Sequence, residues 1–336
     1  ELGAVTQTVK FENEEGQMTE RVVPRAAFIK KLGIFFFKNE LSNLDIDWMH
    51  HGFVEGLKFT LNQDLFIEEY VSVNDMGGRT FYKKLRDGGF EDGRDSPFAF
   101  KQELSKSLHQ DVFLTGSYFY KNNQITVKTN LYESQRGKPI SAHSYTADNI
   151  FDLIDKISNQ IRFDLKLPEK HINESKFLSV RDLFTSSSDA FESQIKGQIA
   201  WNVNFDNDEC MKHIERSVEL DSTNPWTRWI LAENYMFSDQ LDKAIEQYKG
   251  GFKYLYKFPE TYAFVFKKKY YLWVEKDPDK DFKLTKMNAE MNPDNKRAQQ
   301  SLGYSYYKKF MLDDALNKFK ELYQMYPDDH DLLNFI

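Results

Sequence analysis

Cysteine is almost absent: Cys210 stands alone, so no internal disulfide can form and redox chemistry leaves the compartment open. Long apolar runs are missing as well. No stretch approaches the ~18 apolar residues of a membrane span, and the N-terminus lacks the basic and apolar regions of a signal peptide. Basic charge is in deficit, with 45 Lys and Arg against 52 Asp and Glu, a formal charge of -7 and a pI near 5.6. Nucleic acid is therefore not an expected partner, because phosphate affinity depends on clustered Lys and Arg. The cluster Lys267, Lys268 and Lys269 is diluted by neighbouring acidic residues and reads as a solvated helix face.

Catalytic signatures are missing too. The sequence holds no Walker loop, no dinucleotide glycine fingerprint, no Gly-x-Ser-x-Gly, no His-Glu-x-x-His and no Cys-x-x-Cys. Gly77-Gly78-Arg79 and the glycines between Asp87 and Ser96 do not lie between a buried strand and a helix, as a phosphate cradle requires. The acidic run from Asn204 to Glu209 lacks the Gly and terminal Glu of a calcium loop and reads as a turn with helix-capping charges. Adjacent His50 and His51 are expected on different helix faces, which disfavours a shared metal. Neither enzymatic activity nor a cofactor is expected.

What is present is size and aromatic content. The chain has 336 residues, beyond what one core usually serves, and 29 Phe, 18 Tyr and 5 Trp supply large rigid side chains. It begins at Glu1 and stops at Ile336 just after a helix-like start, so it reads as an excised fragment. Membrane attachment is expected only through a segment outside it.

The pattern predicts α/β followed by all-α. A hairpin arm is expected over residues 1–28, turning at Glu15-Gly16 and ended by Pro24. The apolar run from Leu32 to Phe37 reads as a central strand covered on both faces. A helix follows over residues 45–63, capped by Asp45 and carrying Ile46, Met49, Phe53, Leu57 and Leu61 at helical spacing. A strand over 65–71, helical segments near 80–86 and 97–109, a hairpin over 112–132, a strand over 140–146 and an amphipathic helix over 149–165 complete the domain.

This order resembles the domain of TolB N-terminal-like and FlgO-like proteins, found before helical repeats in bacterial adenylate cyclases, transmembrane kinases and regulators. The residues that carry the likeness are the apolar strand ending Phe37-Lys38-Asn39, the helix segment Gly52 to Leu57, Thr115-Gly116-Ser117, and Leu131-Tyr132-Glu133 before Gly137. Departures are Phe35-Phe36-Phe37 where the family often has Leu-Pro-Phe, and the paired histidines. The likeness implies a small α/β sandwich-like domain over 29–168 and a sensing or docking role beside a membrane helix, hence an extracytoplasmic (periplasmic) location, with a cytoplasmic one left open.

After a linker over 169–187, residues 188–336 carry a repeat. Cys210 and Ala244 are 34 residues apart within similar helical segments, and Ala315 heads a third. The distance from Ala244 to Ala315 is two such periods plus three residues, so a lengthened connection is expected near 250–259. These segments resemble tetratricopeptide (TPR) repeats, about four in number, with a weak third unit over 259–295. The resemblance implies an α-solenoid with a groove for a protein or peptide, lined near Trp226, Trp229, Glu233, Phe266, Tyr270, Trp273, Tyr304 and Tyr307. The alternative is that several of these rings fill the core between repeats.

The expected function is a non-catalytic interaction and signalling module. Its rivals are the regulatory region of a larger kinase or cyclase, and a hydrolase or small-ligand protein using the Asp87 to Ser96 loop.

Overall fold

The computed structural model describes residues 2–71, 84–90, 95–326 and 332. It is mixed α/β and groups into two compact units, one formed by Glu1–Phe28 with Thr261–Ile336, the other by Ile29–Glu260. Segments 29–168 and 169–187 fall inside the latter, and the helical region 188–336 is shared between both.

The arm is a hairpin of β1 (Thr6–Glu12) and β2 (Met18–Pro24), paired from Thr6↔Pro24 to Glu12↔Met18. Asn13 closes the turn, its side-chain oxygen accepting from the Gln17 amide at 2.8 Å. Alternation sends Val9, Phe11 and Val23 inward and leaves Lys10 and Glu20 in solvent.

The sheet follows: β3 (Lys30–Ile34), β4 (Lys38–Asn39), β5 (Ile67–Val71), β6 (Val112–Lys121), β7 (Gln124–Glu133) and β8 (Pro139–Ala147). Its order is β5-β3-β6-β7-β8, with β4 beside β6; β3 pairs parallel with β5 and β6, and β7 and β8 run antiparallel. The centre is thus β6, and the strand expected there, residues 32–37, lies one place towards the edge. Its ladder stops at Ile34, after which Phe35, Phe36 and Phe37 stay buried as irregular chain. Phe37 stacks on Phe53 at 5.2 Å and crosses β6 at Gly116, where an added Cβ would meet its ring at 2.6 Å. That clearance explains the glycine of Thr115-Gly116-Ser117. Asn122 and Asn123, both at positive φ, form the two-residue turn between β6 and β7.

Helix α1 (Met49–Asn62) starts four residues later than expected. Asp45 does not cap it; Asn43 instead caps a short 3-10 turn over Leu44–Ile46, accepting from the Asp45 amide at 3.0 Å. Gly56 lets α3 (Ile150–Asp164) approach α1, since a Cβ there would lie 2.4 Å from Ile154 Cδ1. Asn149 caps α3 through the Asp152 amide. Between them in sequence, α2 (Phe98–Ser107) sets Phe98 against Phe113 and Tyr132. The helical segment expected near 80–86 is described only from Lys84 onward, and residues 91–94 of the glycine-bearing loop lie outside the described residues.

The segment 169–187 is docked, with Val180, Leu183 and Phe184 buried. Its His171 Nε2 lies 2.8 Å from Asp64 Oδ1, while Arg162 Nε donates to Asp64 Oδ2 at 3.2 Å and the guanidinium stacks on Phe177.

Eight longer helices then follow as four successive pairs: α4 (Ser188–Ile199) with α5 (Asn207–Leu220), α6 (Pro225–Phe237) with α7 (Leu241–Phe252), α8 (Glu260–Tyr270) with α9 (Pro278–Met291), and α10 (Lys296–Lys308) with α11 (Leu312–Met325). The first, second and fourth pack closely, whereas α8 and α9 meet only through side chains and β1 packs on α9. Between the two helices of each pair one residue turns left-handed: Phe205, Asp239, Lys276 and Phe310, at spacings of 34, 37 and 34 residues. The three extra residues fall between the second and third turns, where a 3-10 turn over Leu255–Lys257 separates α7 from α8. Asp206, Asn224, Asp277 and Asn295 cap helix starts with side-chain oxygens, as their positions before apolar-periodic runs dictate. Helix pairs at this spacing are consistent with a TPR-like helical region.

Candidate functional site

The third pair departs from the others at one crossing. Five residues after each turn stand Cys210, Ala244, Asp281 and Ala315, and eight before it stand Gly197, Leu231, Lys268 and Leu302. Three pairs place small or apolar residues there. The third has charges, with Lys268 Nζ 3.8 Å from Asp281 Oδ1. Cys210 is fully buried, and burial pushes its thiol up to about 12, which makes it inert as a nucleophile.

The expected groove residues divide. Trp226, only 7% exposed, is interior: its ring meets Phe59 edge-on at 4.7 Å and touches Trp229 and Phe258, and Lys58 Nζ sits 5.3 Å above it. Phe266 is fully buried. Both are corrections to the groove assignment, because the face predicted to be open is covered. Trp229 is half-buried and donates from Nε1 to Glu233 Oε1 at 3.2 Å. The same carboxylate oxygen accepts from the Tyr248 hydroxyl, and burial together with that carboxylate holds the Tyr248 phenol well above its ordinary range. This cluster locks α6 to α7. Tyr270 is half-buried against the apolar cluster of α8 and α9.

Trp273, Tyr304 and Tyr307 face solvent. Trp226, Trp229 and Glu233 belong to one compact unit and the other five residues to the other. Around Tyr307 the fourth turn adds a group that periodicity does not flag: Phe310 at 86% exposure, with Met311 and Leu312 beside it. Phe310 occupies the left-handed position, uncommon for a bulky side chain. The signal in sequence is an apolar triplet in a connection, where polar turn residues are the rule.

Beside the arm the apolar face of α8 and α9 is covered. Phe11 enters a cluster of Phe264, Tyr271, Leu284, Met287 and Met291. Glu14 at the hairpin turn accepts from Lys267 Nζ and from the Tyr271 hydroxyl; burial first, then Glu14, raises that phenol. Gln7 Nε2 donates to Asp294 Oδ2 at 3.0 Å, and the Glu12 amide donates to Glu290 Oε2 at 3.1 Å.

His50 and His51 lie with ring centroids 4.3 Å apart, both against Phe36, so they do not diverge as the helical position suggested. Helix α1 begins only at Met49, and its first turn brings both rings to the Phe36 side. No group of three or more His, Cys, Asp or Glu among the described residues is placed to hold a metal ion. No helix among them is long and apolar enough to cross a membrane.

The chain matches no protein-family model and no curated protein sequence. Among solved structures it is similar to YrrB, described as a TPR protein with an unusual peptide-binding site, at 17% identity over 43% of this chain and 72% of that one, with a TM-score of 0.34. It is also similar to the LpoB C-terminal domain from Salmonella enterica, at 10% identity over 36% of this chain and 83% of that one, TM-score 0.29. A third likeness is to lipoprotein GNA1162 from Neisseria meningitidis, at 16% identity over 39% of this chain and 95% of that one, TM-score 0.28. All three are partial likenesses.

Proposed function

We propose that this chain is a non-catalytic protein-interaction module that binds a peptide or protein partner on the outer surface of its fourth helix pair. The observation that supports it is the solvent-facing group Tyr307, Phe310, Met311 and Leu312, with Tyr304 on the preceding helical turn. Exposed rings with few torsions are what partner surfaces concentrate, and a ring as open to solvent as Phe310 adds nothing to core packing. Trp273 is carried in the same reading as a further exposed ring of the third pair. The α/β part, by its resemblance to TolB-like domains, serves as the sensing or docking partner of the helical region in an extracytoplasmic setting.

The test is calorimetric titration of the full chain with a panel of 15-residue peptides, then of Tyr307→Ser with Phe310→Ser. A selected peptide loses about tenfold or more in affinity for the double variant, while helix content by circular dichroism stays constant. Unchanged affinity in a folded variant overturns the assignment of this surface.

A further inference from the structure

The arm contacts helices more than 250 residues away in sequence, and it does so in the manner of a bound ligand. Within β1 the inward side chains are Val9 and Phe11, and only Phe11 joins the α8–α9 cluster. The polar pins around it, Gln7 to Asp294, Glu12 to Glu290 and Lys286 to Glu12 at 3.7 Å, all lie at the solvent rim. A two-stranded hairpin is marginal by itself, so its order depends on this docking. The seat is also larger than its occupant. An open concavity of about 390 Å³ continues past Glu12 and Asn13, floored by Phe282 and Met287 and rimmed by Lys283 and Lys286.

We propose that the α8–α9 face is a recognition surface for a partner segment that turns just after an aromatic residue and so presents, three positions on, a carboxylate to the same face, and that the chain's own Phe11-x-x-Glu14 holds it in the resting state. The aromatic ring fills the hollow between Phe264, Leu284, Met287 and Met291, and the carboxylate takes the paired donors Lys267 and Tyr271. Lys283 and Lys286 on the rim of the concavity, beside Asp279, favour an acidic residue next to the aromatic one, the place Glu12 takes in the arm. An incoming segment must displace the arm, so its apparent affinity is multiplied by the fraction of molecules in which the arm is undocked, and falls accordingly. The inference rests on reading the helix pairs as an interaction module, but on a face separate from Tyr307 and Phe310.

The probe is a fluorescein-labelled peptide with the sequence of residues 5–25, titrated by anisotropy into the full chain and into the full-length double variant Phe11→Ser, Glu14→Gln. The expected result is binding to the variant roughly tenfold or more tighter than to the unaltered chain, lost when the peptide itself carries Phe11→Ala. Equal binding to both chains, or none to a variant with unchanged circular dichroism, overturns the proposal. Should the variant fail to fold, hydrogen exchange on the unaltered chain decides: β1 amides exchanging about 100-fold faster than those of α9 support an exchangeable arm, and equal protection makes it an integral part of the unit and refutes it. Arm-peptide binding that survives Tyr307→Ser with Phe310→Ser keeps this proposal standing even if the fourth-pair surface proves inert.

Discussion

Lys268 and Asp281 face each other at 3.8 Å across the third helix pair, at the positions held by Leu231 and Ala244 in the second. At that distance they form an ion pair without a hydrogen bond, and Asp281 Oδ1 is buried with no hydrogen-bond partner among the described residues. Burial pulls the Lys268 ammonium below its ordinary range, against the pull of Asp281, and Lys308 adds to the lowering.

Such a pair stabilises less than well-packed apolar groups do, because desolvation offsets most of the Coulomb attraction. Lys268→Leu with Asp281→Ala is therefore expected to raise unfolding free energy by about 1 kcal/mol in urea titrations. Lys268→Leu alone leaves a half-buried carboxylate uncompensated and is expected to cost about 1–3 kcal/mol. A double variant less stable than the single one would refute this account of the crossing.

Glu69 on β5 carries a pH signature. Burial pushes its carboxyl up to about 7, although Asn62 Nδ2, which donates to both its oxygens at 2.9 and 2.8 Å, favours the charged form. The folded state thus holds a proton that the unfolded chain, titrating near 4.5, has released. Stability from this group is complete below pH 4.5 and lost as pH rises through 7. Glu69→Gln should flatten the decline between these values and raise stability at pH 8 by up to about 3 kcal/mol. Parallel pH profiles for the two chains, measured by urea unfolding, would count against the shifted carboxyl.

Asp64 anchors the docked segment 169–187 to α1 and α3. It accepts from Arg162, from the Phe66 amide at 3.0 Å, and pairs with His171; Arg162 also donates to the Thr60 carbonyl at 2.7 Å. Removing the carboxylate leaves a buried guanidinium without its counter-charge, so Asp64→Ala is expected to cost about 3–5 kcal/mol. Differential scanning calorimetry reads this as a lowered Tm, and Asp64→Ala with Arg162→Leu should recover part of the loss. No recovery would mean that His171, and not Arg162, is the partner whose loss matters.

The helix pairs were legible because packing at each crossing demands a small residue, and Cys210, Ala244 and Ala315 display it at the repeat spacing. The third pair reads weakly in sequence because Asp281 stands in that place. The hairpins were legible from turn chemistry, with Asn122-Asn123 and Glu15-Gly16 between alternating strands. Periodicity identifies a ring-bearing face, as at Trp226, but not the second layer that covers it; Phe59 lies 167 positions earlier and leaves no local trace. Nor does it flag Phe310, which lies in a turn outside any helical stripe. The start of α1 was misplaced because Asp45 and Asn43 both suit a cap, and only the intervening 3-10 turn distinguishes them.

The pairing of Phe11 with Leu284 and Met291 has a consequence for biosynthesis. Phe11 and Met291 are 280 residues apart, so the hairpin waits for that length of chain before its seat is made, and Ile29–Glu260 is free to fold as an insert in the meantime. A nascent chain halted before α9 would carry an unsheltered hairpin with open strand edges, a species prone to pair with its neighbours on the same message.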